Sequence, residues 1–240
     1  MSEIQLPLAG KQNGEANPTR TVPGGIYLTI EGPSCTGKST QLTLLATHLR
    51  NQGYLVFETR QPGGTAIGAA IREVLLRPDL RPQFTIKAEA MLYWADRSHH
   101  HETFVKPALA AGAIVLGSRD YDSSYVYQCA LRGLDEAWMD TLRKLLIGDF
   151  APTKTIVLMI SEHTFRQRSE ARKRTSIIDQ NEIRVDEQEV QRFAKIREAF
   201  LERAEREPQR LKTMEAELGI NELAAELQLY VDRLIVQLKK

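Results

Sequence analysis

Apolar runs of strand length alternate along this chain with longer stretches of helical period. Five short runs read as strands: Ile26–Ile30, Tyr54–Thr59, Ala113–Gly117, Thr155–Ile160 and Arg210–Met214. The first, third and fourth are nearly unbroken apolar runs, the pattern of strands covered on both faces. Between them, Leu42, Leu45 and Leu49 fall on one helical face, and Gly53 follows as a stop. Ile67, Ile71, Val74 and Leu75 repeat that period, and residues 86–105, 135–147, 162–173, 187–206 and 221–239 also read as helices. Strand-helix alternation of this kind predicts a five-stranded parallel sheet with helices on both faces, a three-layer α/β/α fold. Such sheets bind ligands at the carboxyl ends of their strands.

Two segments depart from the alternation. Residues 1–24 are rich in Gly, Pro, Asn and Gln and hold no sustained period, which reads as a flexible tail before a single domain over 25–240. Residues 166–184 run RQRSEARKRTSIIDQNEIR, dense in Arg and poor in apolar anchors. A solvated helix end with its loop would look like this, and so would a basic lid over an anion site.

Composition narrows the function classes. Apolar residues make up 42% and charged residues 26%, an ordinary globular profile. The 32 Lys and Arg nearly balance the 31 Asp and Glu, for a net charge of +1. That balance argues against a general binder of nucleic acid polymers or membrane surfaces. Two cysteines, Cys35 and Cys129, are too few for a disulfide framework and suggest a reducing, cytoplasmic setting. No apolar run reaches the length of a membrane span.

The chemistry begins at IEGPSCTGKSTQL, residues 30–42. Gly32-x-x-x-x-Gly37-Lys38-Ser39 follows an expected strand and opens an expected helix, the context of a P-loop. The residues between, Pro33, Ser34, Cys35 and Thr36, and Thr40 beyond, complete the cradle. Glycines let the backbone curl so that several N–H groups face phosphate oxygens, and the helix N-terminus adds partial positive charge. Lys38 carries a full charge to the β and γ phosphates, and Ser39 offers a hydroxyl to Mg²⁺. ATP and Mg²⁺ are therefore the expected cofactors.

Further blocks carry a resemblance over about residues 25–238. Thr59-Arg60-Gln61-Pro62-Gly63-Gly64-Thr65 is close to TREPGGT, and LYWADR (92–97), KPAL (106–109) and SRDYDSSYVYQ (118–128) follow in order, then Arg132-Gly133-Leu134. Together with the P-loop these resemble the bacterial-type thymidylate kinases. The resemblance implies the P-loop NTPase fold with an Arg-rich lid, a nucleoside monophosphate acceptor beside ATP, and a homodimer. It implies that Tyr93 stacks on the base and that Arg97, one turn on, grips the acceptor phosphate. It gives Arg119 the charge between donor and acceptor, Ser124 and Gln128 the base or sugar, and Tyr127 the underside of the sugar, where bulk excludes a 2′-hydroxyl. Arg60 and Pro62 fall in the acceptor-side turn, where a cis Gln61–Pro62 peptide is expected. The P-loop tip has no arginine, so the lid residues Arg168 and Arg172, with Arg174 as a further candidate, are implied as the donors of that charge.

The chain departs from the family where acceptor and metal meet. Ser34 stands where an acid is usual, and Ser118 replaces the Asp of an Asp-Arg pair. Asp120, two residues along an extended chain, would point to the same side and is the expected substitute metal ligand beside Ser39, with Glu31 as an alternative. Trp94 replaces a smaller residue and is expected to reshape the pocket. The leading expectation is transfer of the ATP γ-phosphoryl to dTMP. The alternatives are a kinase for another or modified nucleoside monophosphate, or a non-catalytic nucleotide-binding homologue.

Overall fold

The computed structural model describes residues 18–77, 79–80, 83–174 and 190–238. Five strands form one parallel sheet: β1 Ile26–Glu31, β2 Val56–Arg60, β3 Ile114–Ser118, β4 Lys154–Met159 and β5 Leu211–Glu215, in the order β2-β3-β1-β4-β5. The sheet has the expected number and direction of strands. β1 lies between β3 and β4, so the connection after β1 runs one way, to β2, and the connection after β3 runs the other way, to β4, which opens a crevice at the carboxyl ends of β1 and β3. All six residues of β1 are buried.

The helices are α1 Lys38–Asn51, α2 Ala66–Leu76, α3 Ile86–His100, α4 Lys106–Ala110, α5 Tyr121–Ser124, α6 Glu136–Ile147, α7 Glu162–Arg174, α8 Phe193–Arg206 and α9 Ile220–Leu238. On one face of the sheet, Leu42, Leu45 and Leu49 of α1 join Leu223, Leu227 and Val231 of α9 in one apolar cluster. Fully burying each such side chain stabilises the fold by roughly 1.5–3 kcal/mol. On the other face, Ile196 and Phe200 of α8 pack with Val157 and Met159 of β4. α1 ends as expected: Gly53 has φ 85, and the N–H of Tyr54 returns to the Leu49 carbonyl at 3.1 Å.

Several expectations shift. The stretch 86–105 is helical but continues through a π-helical turn, His101–Val105, into α4. Pro107 sits in the first turn of α4, where its missing N–H interrupts the regular ladder. A second π-helical turn, Tyr125–Ala130, follows α5; its sequence has no clear period and no helix is expected there. The last part of the expected tail packs on the domain: Arg20 bridges Tyr54, and Val22 lies in the core beside α1. Residues 1–17 of that tail, 175–184 of the expected lid, 187–189 of the expected 187–206 helix and residue 239 lie outside the described residues. On α2, only Leu75 of the expected face is buried; Ile67 is 54% exposed and Val74 39%. α2 packs on α3, and both leave an apolar strip outward that includes Met91.

Candidate active site

The loop 32–37 joins β1 to α1 at the centre of the sheet edge. A Cβ on Gly32, at φ 130, would stand 2.3 Å from the Leu158 carbonyl oxygen, so only glycine fits between the loop and β4. Gly37 has φ 91, and Cys35 is left-handed at φ 60. These turns curl the chain, and the Thr36 hydroxyl donates to the Pro33 carbonyl at 3.1 Å. Lys38 is buried, with Nζ donating to the carbonyls of Gly32 at 3.0 Å and Pro33 at 2.5 Å. Ser34 is half-buried, and Ser39 and Thr40 are exposed. The first turn of α1 holds no acidic residue of its own to oppose the helix-end positive charge.

The sheet places two cationic elements against this loop. Arg168 of α7 donates to the Ala216 carbonyl at 2.9 Å, and its other nitrogen lies 3.5 Å from the Cys35 carbonyl oxygen. The lid candidate is thus at the rim of the cradle. Arg172, one turn further, is half-buried, and the Arg174 side chain lies outside the described residues. From the other side, the chain leaves β3 through Arg119, which is left-handed at φ 69. Arg119 donates to the Ser123 hydroxyl at 3.0 Å, lies 3.9 Å from the Glu31 carboxylate and covers the Tyr127 ring at 5.2 Å.

Glu31 fastens this segment to the root of the phosphate loop. Its carboxylate accepts from the backbone N–H of Asp120 at 2.7 Å and of Ser123 at 3.2 Å, and from the Ser123 hydroxyl at 2.7 Å. Burial pushes its pKa above the usual carboxylate range, against the opposing charge of Arg119. Behind it, Asp122 is fully buried and receives Arg210 through a two-nitrogen fork, at 2.7 and 2.8 Å, and Arg203 at 3.0 Å. Those pairs lock α5 to α8 and β5.

Asp120 is not placed as a metal ligand. Its Oδ1 accepts from the Tyr121 N–H at 2.6 Å and lies 3.1 Å from Arg97 Nε; its Oδ2 accepts from the Tyr27 hydroxyl at 2.6 Å and is 2.9 Å from His101 Nε2. Burial raises its pKa, but His101, Arg97 and Tyr27 outweigh burial and hold the carboxyl well below its usual range. Arg119 is left-handed at φ 69, so residues 118–120 are not the extended run that side-chain alternation requires. Among the described residues no group of three or more His, Cys, Asp or Glu is placed to hold a metal.

Arg97 is 2% exposed and is held from the protein side through one N–H on each nitrogen, so Nη1 and Nη2 each keep a second N–H for the grip expected of it. Nε donates to Gln61 Oε1 at 2.8 Å, Nη1 to the Ser124 hydroxyl at 3.1 Å and Nη2 to the Asp120 carbonyl at 3.1 Å. Trp94 does not reshape a pocket wall. It is fully buried, donates to Met139 Sδ at 2.9 Å and stacks beneath the Arg97 guanidinium at 4.6 Å. Tyr93 is half-buried beside it, and Tyr127 is half-buried under Arg119. Gln128 donates to Glu89 at 2.9 Å, and Glu89 also pairs with Arg132. Arg60 is exposed at the end of β2, and Pro62 is buried after a cis Gln61–Pro62 peptide. Asp96 accepts from the N–H of Gly63 at 3.1 Å, tying this turn to α3. Glu89, His100 and His101 escape the motif-based reading, and Gln61 enters it only through its cis peptide. Glu89 alone left a signal: it stands four residues before Tyr93, on the same helical face.

His100 is fully buried between Thr59, at 2.6 Å from Nε2, and Gln61, at 2.9 Å from Nδ1. Burial, and then the neighbouring His101, lower its pKa to about 4. The folded protein therefore resists a proton that the unfolded chain takes up near pH 6.5. Stability is full above that value and is lost as pH falls from about 6.5 to about 4. This group should cost about 2 kcal/mol between pH 7.5 and pH 5. The raised carboxyls of Glu31 and Asp96 act in the opposite sense. The test is therefore a comparison: urea unfolding at both pH values should show a smaller loss in His100→Gln than in the native chain. Equal losses would contradict the buried neutral histidine.

Comparison with known proteins agrees with this geometry. The family model for thymidylate kinase matches residues 30–227. A thymidylate kinase of Leifsonia xyli subsp. xyli is 40% identical over 213 residues, covering 87% of this chain and 95% of that protein. One from Thermomicrobium roseum is 39% identical over 193 residues, covering 80% and 87%. The crystal structure of thymidylate kinase from Ehrlichia chaffeensis superposes with a TM-score of 0.68 at 25% identity, over 88% of this chain and 99% of that one. Among the described residues no helix is long and apolar enough to cross a membrane. The chain belongs to the thymidylate kinase family.

Proposed function

We propose that this protein transfers the γ-phosphoryl group of ATP to dTMP, giving dTDP and ADP. The observation that carries the reading is the Glu31 junction. One carboxylate at the root of the phosphate loop holds the segment that bears Arg119, so the acceptor-side cation stands beside the donor cradle. ATP phosphates would lie on the amides of 32–39 with Lys38 reaching the β and γ oxygens. Arg119, with Arg168 and Arg172 from the lid, would neutralise charge between the two phosphates. The acceptor phosphate is already an anion, so direct in-line transfer needs no strong base. Positioning and charge neutralisation supply the rate.

The residues present fit Mg²⁺ in a limited way. The exposed Ser39 offers one hard oxygen donor, and such an ion takes its other ligands from phosphates and water. Bound there, it would neutralise charge on the β and γ oxygens. Tyr93 would stack on the base, and Tyr127 would crowd the 2′ position of the sugar. We further propose a homodimer. It is favoured by the exposed strip of Ile67, Val74 and Met91 on α2 and α3, which a second copy would cover. The proposed setting is the cytoplasm, which would keep Cys35 and Cys129 reduced; neither is in a disulfide.

The test is a coupled ADP-release assay across a panel of ribo- and deoxynucleoside monophosphates. dTMP should be the preferred acceptor by kcat/KM. Preference for another monophosphate would move the assignment to that acceptor, and no turnover with any would overturn the transferase reading.

A further inference from the structure

A guanidinium that is 2% exposed needs a counter-charge in place, since an unpaired buried cation is strongly unfavourable. The ion pair that the structure gives Arg97 is with Asp120, whose Oδ1 is 3.1 Å from Nε. The same Nε donates to the Gln61 side-chain oxygen at 2.8 Å. Positions 61 and 120 thus flank one N–H, with a neutral amide on one side and a carboxylate on the other.

Both flanking groups are themselves fixed. The Gln61 amide nitrogen faces His100 Nδ1 at 2.9 Å, and His100 Nε2 meets the Thr59 hydroxyl at 2.6 Å. An imidazole protonated at Nε2 accepts from Gln61, and this orientation turns the amide oxygen toward Arg97. Asp120 is held by Tyr27 and His101, and the His101 ring meets Phe150 edge-on at 4.9 Å. The chain of contacts from Thr59 to Tyr27 leaves Arg97 a single orientation against Ser124.

We propose that Asp120 is a positioning residue for the acceptor: it is the buried counter-charge that fixes the Arg97 fork, and its carboxylate is interchangeable with one at position 61. The proposal rests on the reading of this cleft as the acceptor site. Asp120→Asn should raise KM for dTMP about tenfold or more, because the fork loses its charged anchor. KM for ATP should change less than about twofold, since the nucleotide loop is held through Glu31. Gln61→Glu alone should lower stability by crowding two carboxylates around one cation. The double variant Gln61→Glu/Asp120→Asn should recover most of the lost dTMP affinity, a rescue that a merely structural role for Asp120 would not produce. A folded Asp120→Asn with native KM for dTMP would overturn the proposal, and so would a double variant no better than the single one. Should Asp120→Asn fail to fold, the double variant decides: a folded, active protein supports the exchange and an unfolded one refutes it. Should the native chain not turn over dTMP, the acceptor reading itself fails. Urea midpoints of the three variants then test the pairing alone, with recovery in the double variant supporting it and no recovery overturning it.

Discussion

Lys38→Ala should lower kcat by about 10³-fold or more, a loss of about 4 kcal/mol of transition-state stabilisation. The variant removes one buried ammonium. Its Nζ lies across the mouth of the loop, within hydrogen-bond distance of the Gly32 and Pro33 carbonyls. It carries a full positive charge at the point where the glycine loop would receive phosphate oxygens, and its two carbonyl contacts hold it there. Arg119 lies 3.9 Å from Glu31 and Arg168 donates to the Ala216 carbonyl, so each is engaged at its own place on the rim. The fold should survive, because the loop keeps its glycines and its Thr36 hydrogen bond. Steady-state turnover with saturating dTMP, beside a thermal melt, checks the prediction. A folded variant that kept a tenth of the native rate would contradict the role given to Lys38.

The second large effect is expected at Gly32. A Cβ there would stand 2.3 Å from the Leu158 carbonyl oxygen, which belongs to the backbone of a central strand and cannot swing aside. The φ of 130 is also foreign to residues with a side chain. Gly32→Ala should therefore cost about 3 kcal/mol or more and displace the amides of the cradle, so that stability and ATP binding fall together. Gly37→Ala is the natural comparison. It carries the strain of φ 91 but meets no atom within 4 Å, so it should lose less stability. Urea midpoints and a nucleotide titration measure both. Equal losses in the two variants would show that close approach to β4 is not what demands glycine at 32.

Particular residues show how far the sequence was legible. The period of Leu42, Leu45 and Leu49 named the buried face of α1 because one apolar stripe can pack only one way against a sheet. On α2 the same kind of stripe misled, since Ile67 and Val74 point outward and a local pattern cannot say what covers it. The P-loop was legible as a short contiguous motif whose geometry is carried by its own glycines. The motif marked Arg97 as a candidate for the acceptor phosphate but gave no sign that it would be buried. Its surroundings come from Gln61 and Asp120, distant in sequence and joined to it by the fold.

Asp120 marks the boundary most clearly. Counting along an extended strand put it beside Ser118, toward a metal; the left-handed Arg119 breaks that extended run, and Asp120 lies buried against Tyr27, Arg97 and His101. The sequence by itself determined the layered α/β/α architecture, the phosphate cradle and the set of basic residues around it. These follow from short-range periodicity and from residue types whose chemistry needs no distant partner. Only the tertiary structure decided which carboxylate meets which cation, because charge pairing in a buried site depends on side chains brought together across β1, β3 and α3. Glu31 became the clasp between the two halves, and Asp120 the anchor of Arg97, through contacts that span about 20 to 90 residues.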